Sequence, residues 1–144
     1  MQNVSFSDGS DARFQTKMAY SDFLQRYPWD FYITTTFRKP RVDGIYWSGK
    51  LWKALEKMGA SRAFIAVEPH KYEGIHLHAL SRQHPWDDGV KPGTIWKYCF
   101  KAFGRTTVDK IDGVVAVSRY CAKYVVKENQ FEFMGDKHAW LKDS

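Results

Sequence analysis

Alternating apolar and polar residues predict four short strands. The clearest lies over 29–37, which is rich in aromatic residues and threonines; Tyr32, Thr34 and Thr36 share one face and the other face is apolar. Two more are predicted over 61–68 and 74–80, and the turn-rich sequence between them has the length of a hairpin connection. A fourth strand is predicted over 105–111.

Apolar residues at helical spacing predict three helices. The first covers 45–59 and ends at Gly59, a residue suited to a C-cap, and the second covers about 94–104. The third covers 114–128, although its many valines favour strand structure. Because strands and helices are interspersed and some strands are hairpin-like neighbours, the pattern indicates an α+β fold with an antiparallel sheet.

Length and charge indicate one globular domain with an anionic partner. The chain has 144 residues, a net charge of +6 and an aromatic content of 17%. Aromatic rings interleaved with lysines and arginines suit single-stranded nucleic acid, because bases stack and phosphates pair with cations. The alternative is that most of the rings pack the core. We assign residues 1–16 to an N-terminal arm and 17–144 to the domain.

The sequence predicts a cytoplasmic protein with no membrane partner, in a prokaryotic host. No apolar run reaches the roughly 18 residues that span a bilayer, and the polar N-terminus lacks the apolar segment of a secretory signal. Cys99 and Cys121 lack metal-ligand spacing, so we expect two buried thiols in a reducing compartment.

Three residues form a candidate metal site. His76 and His78 lie two apart in a predicted strand, so both imidazoles project from one face. If this strand pairs with its predecessor, Glu68 joins them, and two histidines with one carboxylate form a catalytic ligand set with open positions. The alternative is a pair of polar histidines on an exposed strand. His70, in the turn, is a fourth ligand, a DNA contact or an ordinary turn residue.

The third predicted helix carries a stripe of tyrosines and lysines. The stripe is spaced i, i+3, i+4 and i+7 and consists of Tyr120, Lys123, Tyr124 and Lys127. A tyrosine can attack phosphorus as a covalent nucleophile, and a nearby lysine can stabilise the phenolate and the transferring phosphoryl group. The alternative is an amphipathic helix whose tyrosines rim the core and whose lysines are solvated.

Taken in order, three segments resemble the motifs of HUH endonucleases, the rolling-circle replication initiators of small phages, plasmids and circular single-stranded DNA viruses. The segments are FYITTTF, VEPHKYEGIHLHAL and YCAKYVVK. The second matches the His-hydrophobic-His motif at His76 and His78, with Glu68 as third ligand, and the third matches the tyrosine motif at Tyr120 and Tyr124. The resemblance implies a ferredoxin-like or RNA-recognition-like sheet of about five antiparallel strands with flanking helices, and a Mn²⁺ or Mg²⁺ site at the sheet centre.

The resemblance also implies an activity, which is site-specific cleavage and rejoining of single-stranded DNA. Tyr120 matches the tyrosine motif of both the two-tyrosine and the single-tyrosine initiators, so it ranks slightly ahead of Tyr124 as the nucleophile. The nucleophile would form a 5′-phosphotyrosine link and release a 3′-hydroxyl that primes replication. Expected partners are an origin strand, with or without a hairpin, and host replication proteins, and the expected state is a monomer or a weak oligomer. Candidate phosphate contacts are Arg38, Lys39, Arg41, Lys97, Lys101 and Arg119.

Two other functions fit the same sequence. A single-tyrosine transposase of the same superfamily shares the histidine motif and would act on hairpin ends of a mobile element. A non-catalytic domain that stacks single-stranded nucleic acid on exposed aromatics would bind whether or not metal is chelated, and it would form no covalent product. A structural zinc module is disfavoured, because His76, His78 and Glu68 are not a closed, cysteine-rich set.

Overall fold

Five strands and two connecting helices make up the described part of the chain. A computed structural model describes residue 19, residues 22–87, 89–111 and 130–136, and residue 140. A short helical segment over 22–25 precedes the sheet. The elements that follow are β1 (Phe31–Phe37), α1 (Gly44–Lys57), β2 (Ala60–His70), β3 (Gly74–Gln83), α2 (Pro92–Ala102), β4 (Gly104–Lys110) and β5 (Phe131–Gly135).

The strands form one sheet in the order β4-β1-β3-β2-β5, and every neighbouring pair is antiparallel. The order of elements from β1 to β4 is βαββαβ, which is the ferredoxin-like arrangement. The predicted α+β fold, with about five antiparallel strands and flanking helices, is therefore confirmed. Neither helix in these described ranges has both the length and the apolar character needed to cross a bilayer.

Both helices cover the same face of the sheet. Asp43 is the N-cap of helix α1, and its carboxylate accepts a hydrogen bond from the Tyr46 backbone N–H at 3.0 Å; the helix buries Leu51 and Leu55. Helix α2 buries Ile95 and Cys99. These side chains pack against apolar residues of the central strands, and each large side chain buried in this way contributes about 1.5–3 kcal/mol. The strand residues are Ile33, Ile65, Val67, Ile75, Leu77 and Ala79.

The opposite face of the sheet is covered by an aromatic cluster that includes Tyr27, Trp29, Phe64 and Leu80. On this face of β3, Leu80 contacts the cluster, and the side chains that precede it at every second position are His78 and His76. The aromatic cluster and the histidines therefore occupy successive parts of one face.

The element bounds differ from the predicted ones at several ends; β1 begins at Phe31 and not at residue 29, and the two helices end at Lys57 and Ala102, two residues before the predicted ends. Strands β2 and β3 run further, to His70 and Gln83, and the strand β5 was not assigned from the sequence. Burial of Cys99 is confirmed, and it raises the pKa of this thiol to about 12. The predicted helix over 114–128, which contains Cys121, and the predicted arm over 1–16 lie outside the described residues.

Candidate metal centre

The β2–β3 hairpin brings the predicted ligands together. Glu68 is the direct partner of His76 in the ladder, and His78 follows two residues later on the same face. On the other side of β3, His76 pairs with Thr36 and His78 pairs with Thr34 of β1. The ligands therefore lie near the middle of the sheet, on the face that the helices do not cover.

The Glu68 carboxylate accepts hydrogen bonds from two histidines of this cluster. The Nε2–H of His78 donates to Glu68 Oε1 at 3.0 Å, and the Nε2–H of His70 donates to the same oxygen at 3.1 Å. The rings of His70 and His76 stack with their centroids 3.7 Å apart. His76 Nε2 also lies 3.0 Å from Glu73 Oε2. Three histidines and two carboxylates thus meet at one end of the hairpin.

His70, and not the predicted ligand His78, belongs to the group of described ligand atoms that lie close enough together to share a metal ion. One ligand atom from each of Glu68, His70 and His76 lies within 4.8 Å of the other two, and such a group can hold a metal ion. His78 adjoins the group through its contact with Glu68. Sequence reasoning left the role of His70 open because it ended the strand at Glu68. The available signal was spacing, since a residue two positions further along the same strand points to the same face.

The ionisation of the cluster suits a divalent cation. Burial is the main cause that lowers the pKa of His76 and of His78 below the ordinary value of 6.5, so both rings are neutral at pH 7 and can offer a lone pair. Burial raises the pKa of Glu68, but hydrogen bonds from His78 and His70 outweigh it and hold the pKa below 4.5. Neutral imidazoles beside a carboxylate are an appropriate donor set.

His76 provides a direct test of fit. Its Nε2 atom is buried, and among the described residues it has no hydrogen-bond partner of acceptable geometry, although Glu73 lies at ion-pair distance. A buried polar atom without a partner is uncommon in a stable core and calls for an explanation such as an ion. Coordination of a metal ion by this atom would account for it.

Two polar side chains of β1 contact the second ring nitrogen of His78. Tyr32 Oη lies 3.1 Å and Thr34 Oγ1 lies 3.3 Å from His78 Nδ1. Partners of the second ring nitrogen fix the orientation and tautomer of a metal-bound histidine. The sequence placed Tyr32 and Thr34 on one face of β1, but it could not show that His78 lies opposite them, because register is not visible in a single strand.

A depression of about 350 Å³ adjoins the cluster and is lined by Thr36, Tyr72, Glu73 and Arg105, among others. Tyr72 and Arg105 are exposed, and Arg105 lies opposite Thr36 in the sheet. Neither residue was selected from the sequence. An exposed ring and an exposed guanidinium beside a candidate metal site are suited to a nucleotide and its phosphate.

The predicted phosphate contacts are spread over several surfaces. Arg38 lines the depression beside the cluster, and its guanidinium donates to the carbonyls of Phe100 and Lys101 at the C-terminal end of α2. The Arg41 guanidinium lies 4.6 Å from the ring centroid of Trp47, and Lys39 is exposed. Two further candidates, Lys97 and Lys101, project from α2 on the helical side of the sheet. The structure therefore does not bring the predicted contacts into one surface.

The candidate nucleophiles belong to a segment outside the described residues. Arg119 and the four residues of the stripe (Tyr120, Lys123, Tyr124 and Lys127) lie outside the described residues. The described residue that follows this segment is Gln130, which lies beside β2 at the β5 edge of the sheet. The Val67 N–H donates to the Gln130 carbonyl at 3.1 Å, and Val67 is adjacent to Glu68.

Fold and site together define an α+β protein with a candidate metal centre on the open part of a ferredoxin-like sheet. No protein-family model matches the chain, and no curated protein matches it either. Assignment to a particular function therefore depends on the residues themselves.

Proposed function

We propose that the chain is a metal-dependent endonuclease that cleaves and rejoins single-stranded DNA through a tyrosine, and that it initiates rolling-circle replication. The observation that carries the proposal is Glu68 paired with His76 across the hairpin, with His78 on the same face. This is the ligand set that the HUH resemblance implies. It lies on a sheet of the type that the resemblance implies.

Glu68, His76 and His78 would hold Mn²⁺ or Mg²⁺, and the proximity of His70 adds a fourth donor. When bound, the ion supplies positive charge that polarises a non-bridging oxygen of the scissile phosphate. The histidine-rich donor set favours Mn²⁺ over Mg²⁺, because Mg²⁺ prefers oxygen ligands. Arg105 would pair with an adjacent phosphate, since its guanidinium is exposed in the neighbouring depression.

The phenolic oxygen of Tyr120 or Tyr124 would attack phosphorus. A bond forms between this oxygen and phosphorus, the bond from phosphorus to the 3′-oxygen breaks, and the 3′-oxygen leaves with a proton as a hydroxyl. Lys123 and Lys127 would stabilise the phenolate.

The test uses random-sequence single-stranded oligonucleotides, one pool labelled at the 3′ end and one at the 5′ end. With Mn²⁺, the wild-type chain is expected to retain the 3′ label, but not the 5′ label, through denaturing electrophoresis. Both His76→Ala and the double variant Tyr120→Phe, Tyr124→Phe are expected to lose the adduct. Tyr72→Phe, which alters an exposed tyrosine beside the site, is the matched control and is expected to keep it.

Three results would contradict parts of the proposal. An adduct in the double tyrosine variant disproves the nucleophile assignment, and an adduct in His76→Ala or in excess chelator disproves the metal assignment. Binding of the pools without any adduct, unaffected by chelator, favours the non-catalytic alternative. The transposase alternative is separated by substrate, since it requires hairpin ends of a mobile element.

A further inference from the structure

Helices α1 and α2 form a groove on the side of the sheet opposite the candidate metal centre. We call it the lysine groove. Tyr98 lies between its two halves, which are adjoining depressions of about 480 and 740 Å³. Six exposed lysines line it: Lys50, Lys53 and Lys57 from α1, and Lys91, Lys97 and Lys101 from α2 and its N-cap.

The helical period produces this concentration of charge. Lys50, Lys53 and Lys57 are spaced i, i+3 and i+7 on α1, whereas Lys97 and Lys101 are spaced i and i+4 on α2. Residues at these spacings share one face of a helix. The two rows therefore face each other across the groove.

The charge of the groove is not neutralised within the described residues. Glu56 is the only acidic residue among those that line it, and none of the six lysines lies within 4.0 Å of a described carboxylate. A concave surface with one sign of charge concentrates counter-ions and raises the rate at which an anion associates. The groove is therefore complementary to an anion with several charges.

The position of Tyr98 indicates which kind of anion the groove would bind. Its side chain is 40% exposed and lies between the two lysine rows, where it can stack with a flat ring. An aromatic side chain flanked by cations is the arrangement that binds single strands, because bases stack while phosphates meet lysines. An anionic membrane surface is less suited, since membrane-surface helices present a protruding apolar face and here the ring lies in a groove.

We propose that the lysine groove is a second binding site, for single-stranded DNA, with Tyr98 stacking on a base and the lysines contacting phosphates. The site does not depend on cleavage and would remain if the chain were not a nuclease. Lys97 and Lys101, predicted as phosphate contacts, would act here and not at the metal centre. Single-stranded DNA could then contact both faces of the sheet at once.

The test measures binding of a fluorescent oligothymidylate by fluorescence anisotropy in chelator, as a function of salt. The charge variant is Lys53→Gln with Lys97→Gln, and the matched control is Arg26→Gln with Lys110→Gln, which removes the same charge from exposed positions elsewhere. The groove variant is expected to reduce the salt slope by about 1.4, and affinity roughly 25-fold at 0.1 M salt, because each lost phosphate contact to a single strand contributes a slope of about 0.7. The control is expected to change affinity less than about threefold.

Tyr98→Leu tests the stacking, because it keeps the groove apolar at this point. We expect it to weaken oligothymidylate binding about 5- to 100-fold at an unchanged salt slope. Photo-cross-linking with a bromodeoxyuridine oligonucleotide is expected to label the peptide that contains Tyr98 in His76→Ala as in the wild type. Each variant is checked by its melting temperature.

Several results would overturn the inference. One is equal loss of affinity in the groove variant and the control, which means that only net charge matters. Another is cross-linking confined to peptides outside α1 and α2. A third is loss of binding to phosphatidylserine vesicles in the groove variant while oligothymidylate binding is unchanged, which identifies a membrane surface. Loss of the covalent adduct in His76→Ala with groove binding intact would leave the inference standing.

Discussion

Replacing His76 with leucine separates its proposed role in metal binding from any role in folding. Without metal, the buried Nε2 atom has only Glu73 Oε2 near it, at 3.0 Å and in poor hydrogen-bond geometry, and a buried polar atom left unsatisfied costs up to about 1–3 kcal/mol. Leucine fills the position without a polar atom. The substitution gives up ring stacking with His70 and the contact with the exposed Glu73 carboxylate, and this contact is worth less than about 1 kcal/mol.

The expected net effect in chelator is therefore zero to about 2 kcal/mol of added stability. A chain of this length shifts its melting temperature by about 3 °C per kcal/mol, so the variant should melt at the wild-type temperature or up to about 6 °C higher. With Mn²⁺ at one hundred times its dissociation constant, the wild type should gain about 2.7 kcal/mol and the variant nothing. Differential scanning calorimetry, with and without Mn²⁺, measures both effects.

Leu77→Ala is the matched control, because Leu77 is adjacent in β3, fully buried, and faces the helices. It should destabilise the chain by about 2–5 kcal/mol and keep the full response to Mn²⁺. The reasoning is refuted if His76→Leu lowers stability in chelator by more than about 2 kcal/mol, which would make His76 a structural residue. It is equally refuted if the variant keeps the Mn²⁺ response.

Three further predictions concern the surroundings of the site. Tyr32→Phe removes a hydroxyl that lies 3.1 Å from His78 Nδ1, and it should weaken Mn²⁺ binding about 10- to 100-fold in isothermal titration calorimetry. The control Tyr46→Phe should leave the Mn²⁺ affinity unchanged. Equal Mn²⁺ affinities of Tyr32→Phe and the wild type would exclude an orienting role for the hydroxyl. The pKa values of His76 and His78 in the folded chain lie below 6.5, so between those values and pH 6.5 the unfolded chain binds more protons than the folded chain. The free energy of unfolding without metal should therefore fall as the pH drops through 6.5. Urea midpoints that are constant or rise on acidification would contradict this. Gly74→Ala should destabilise the hairpin, since φ is +74° and a Cβ would lie 2.4 Å from the Arg41 carbonyl oxygen. The control Gly49→Ala in α1 places a Cβ that meets nothing within 4 Å, and it should be neutral or stabilising by up to about 1 kcal/mol. If Gly49→Ala lowers the melting temperature more than Gly74→Ala does, the turn tolerates a side chain.

The sequence predicts the faces of the strands better than their contacts. In β3, Ile75, Leu77 and Ala79 alternate with His76 and His78, and the apolar set is buried against the helices as expected. This alternation depends only on the two-residue period of a strand, so it can be derived locally. It also fixes both histidines on the opposite face, which is why the candidate ligands could be selected before any strand pairing was known.

Features that depend on pairing between distant segments could not be derived in this way. Strand β5 has five residues with mixed polarity, and it is defined by its ladder with β2 and not by its own pattern. The contact between Tyr32 and His78 joins residues that are 46 positions apart. The role of His70 depended on where β2 ends, and strand ends are fixed by pairing with the next strand.

The register of the β2–β3 hairpin therefore decides whether the candidate site exists. The Ile75 N–H donates to the Arg41 carbonyl at 2.8 Å, so the segment after β1 holds the start of β3 in place, and Gly74 allows the close approach. A slip of one residue would turn His76 and His78 toward the helices and expose Leu77. Burial of the apolar set opposes such a slip, because each large side chain would lose about 1.5–3 kcal/mol. The same alternating pattern that packs the helices thus keeps Glu68 opposite His76, and the geometry of the candidate metal centre follows from the packing of the core on the other face.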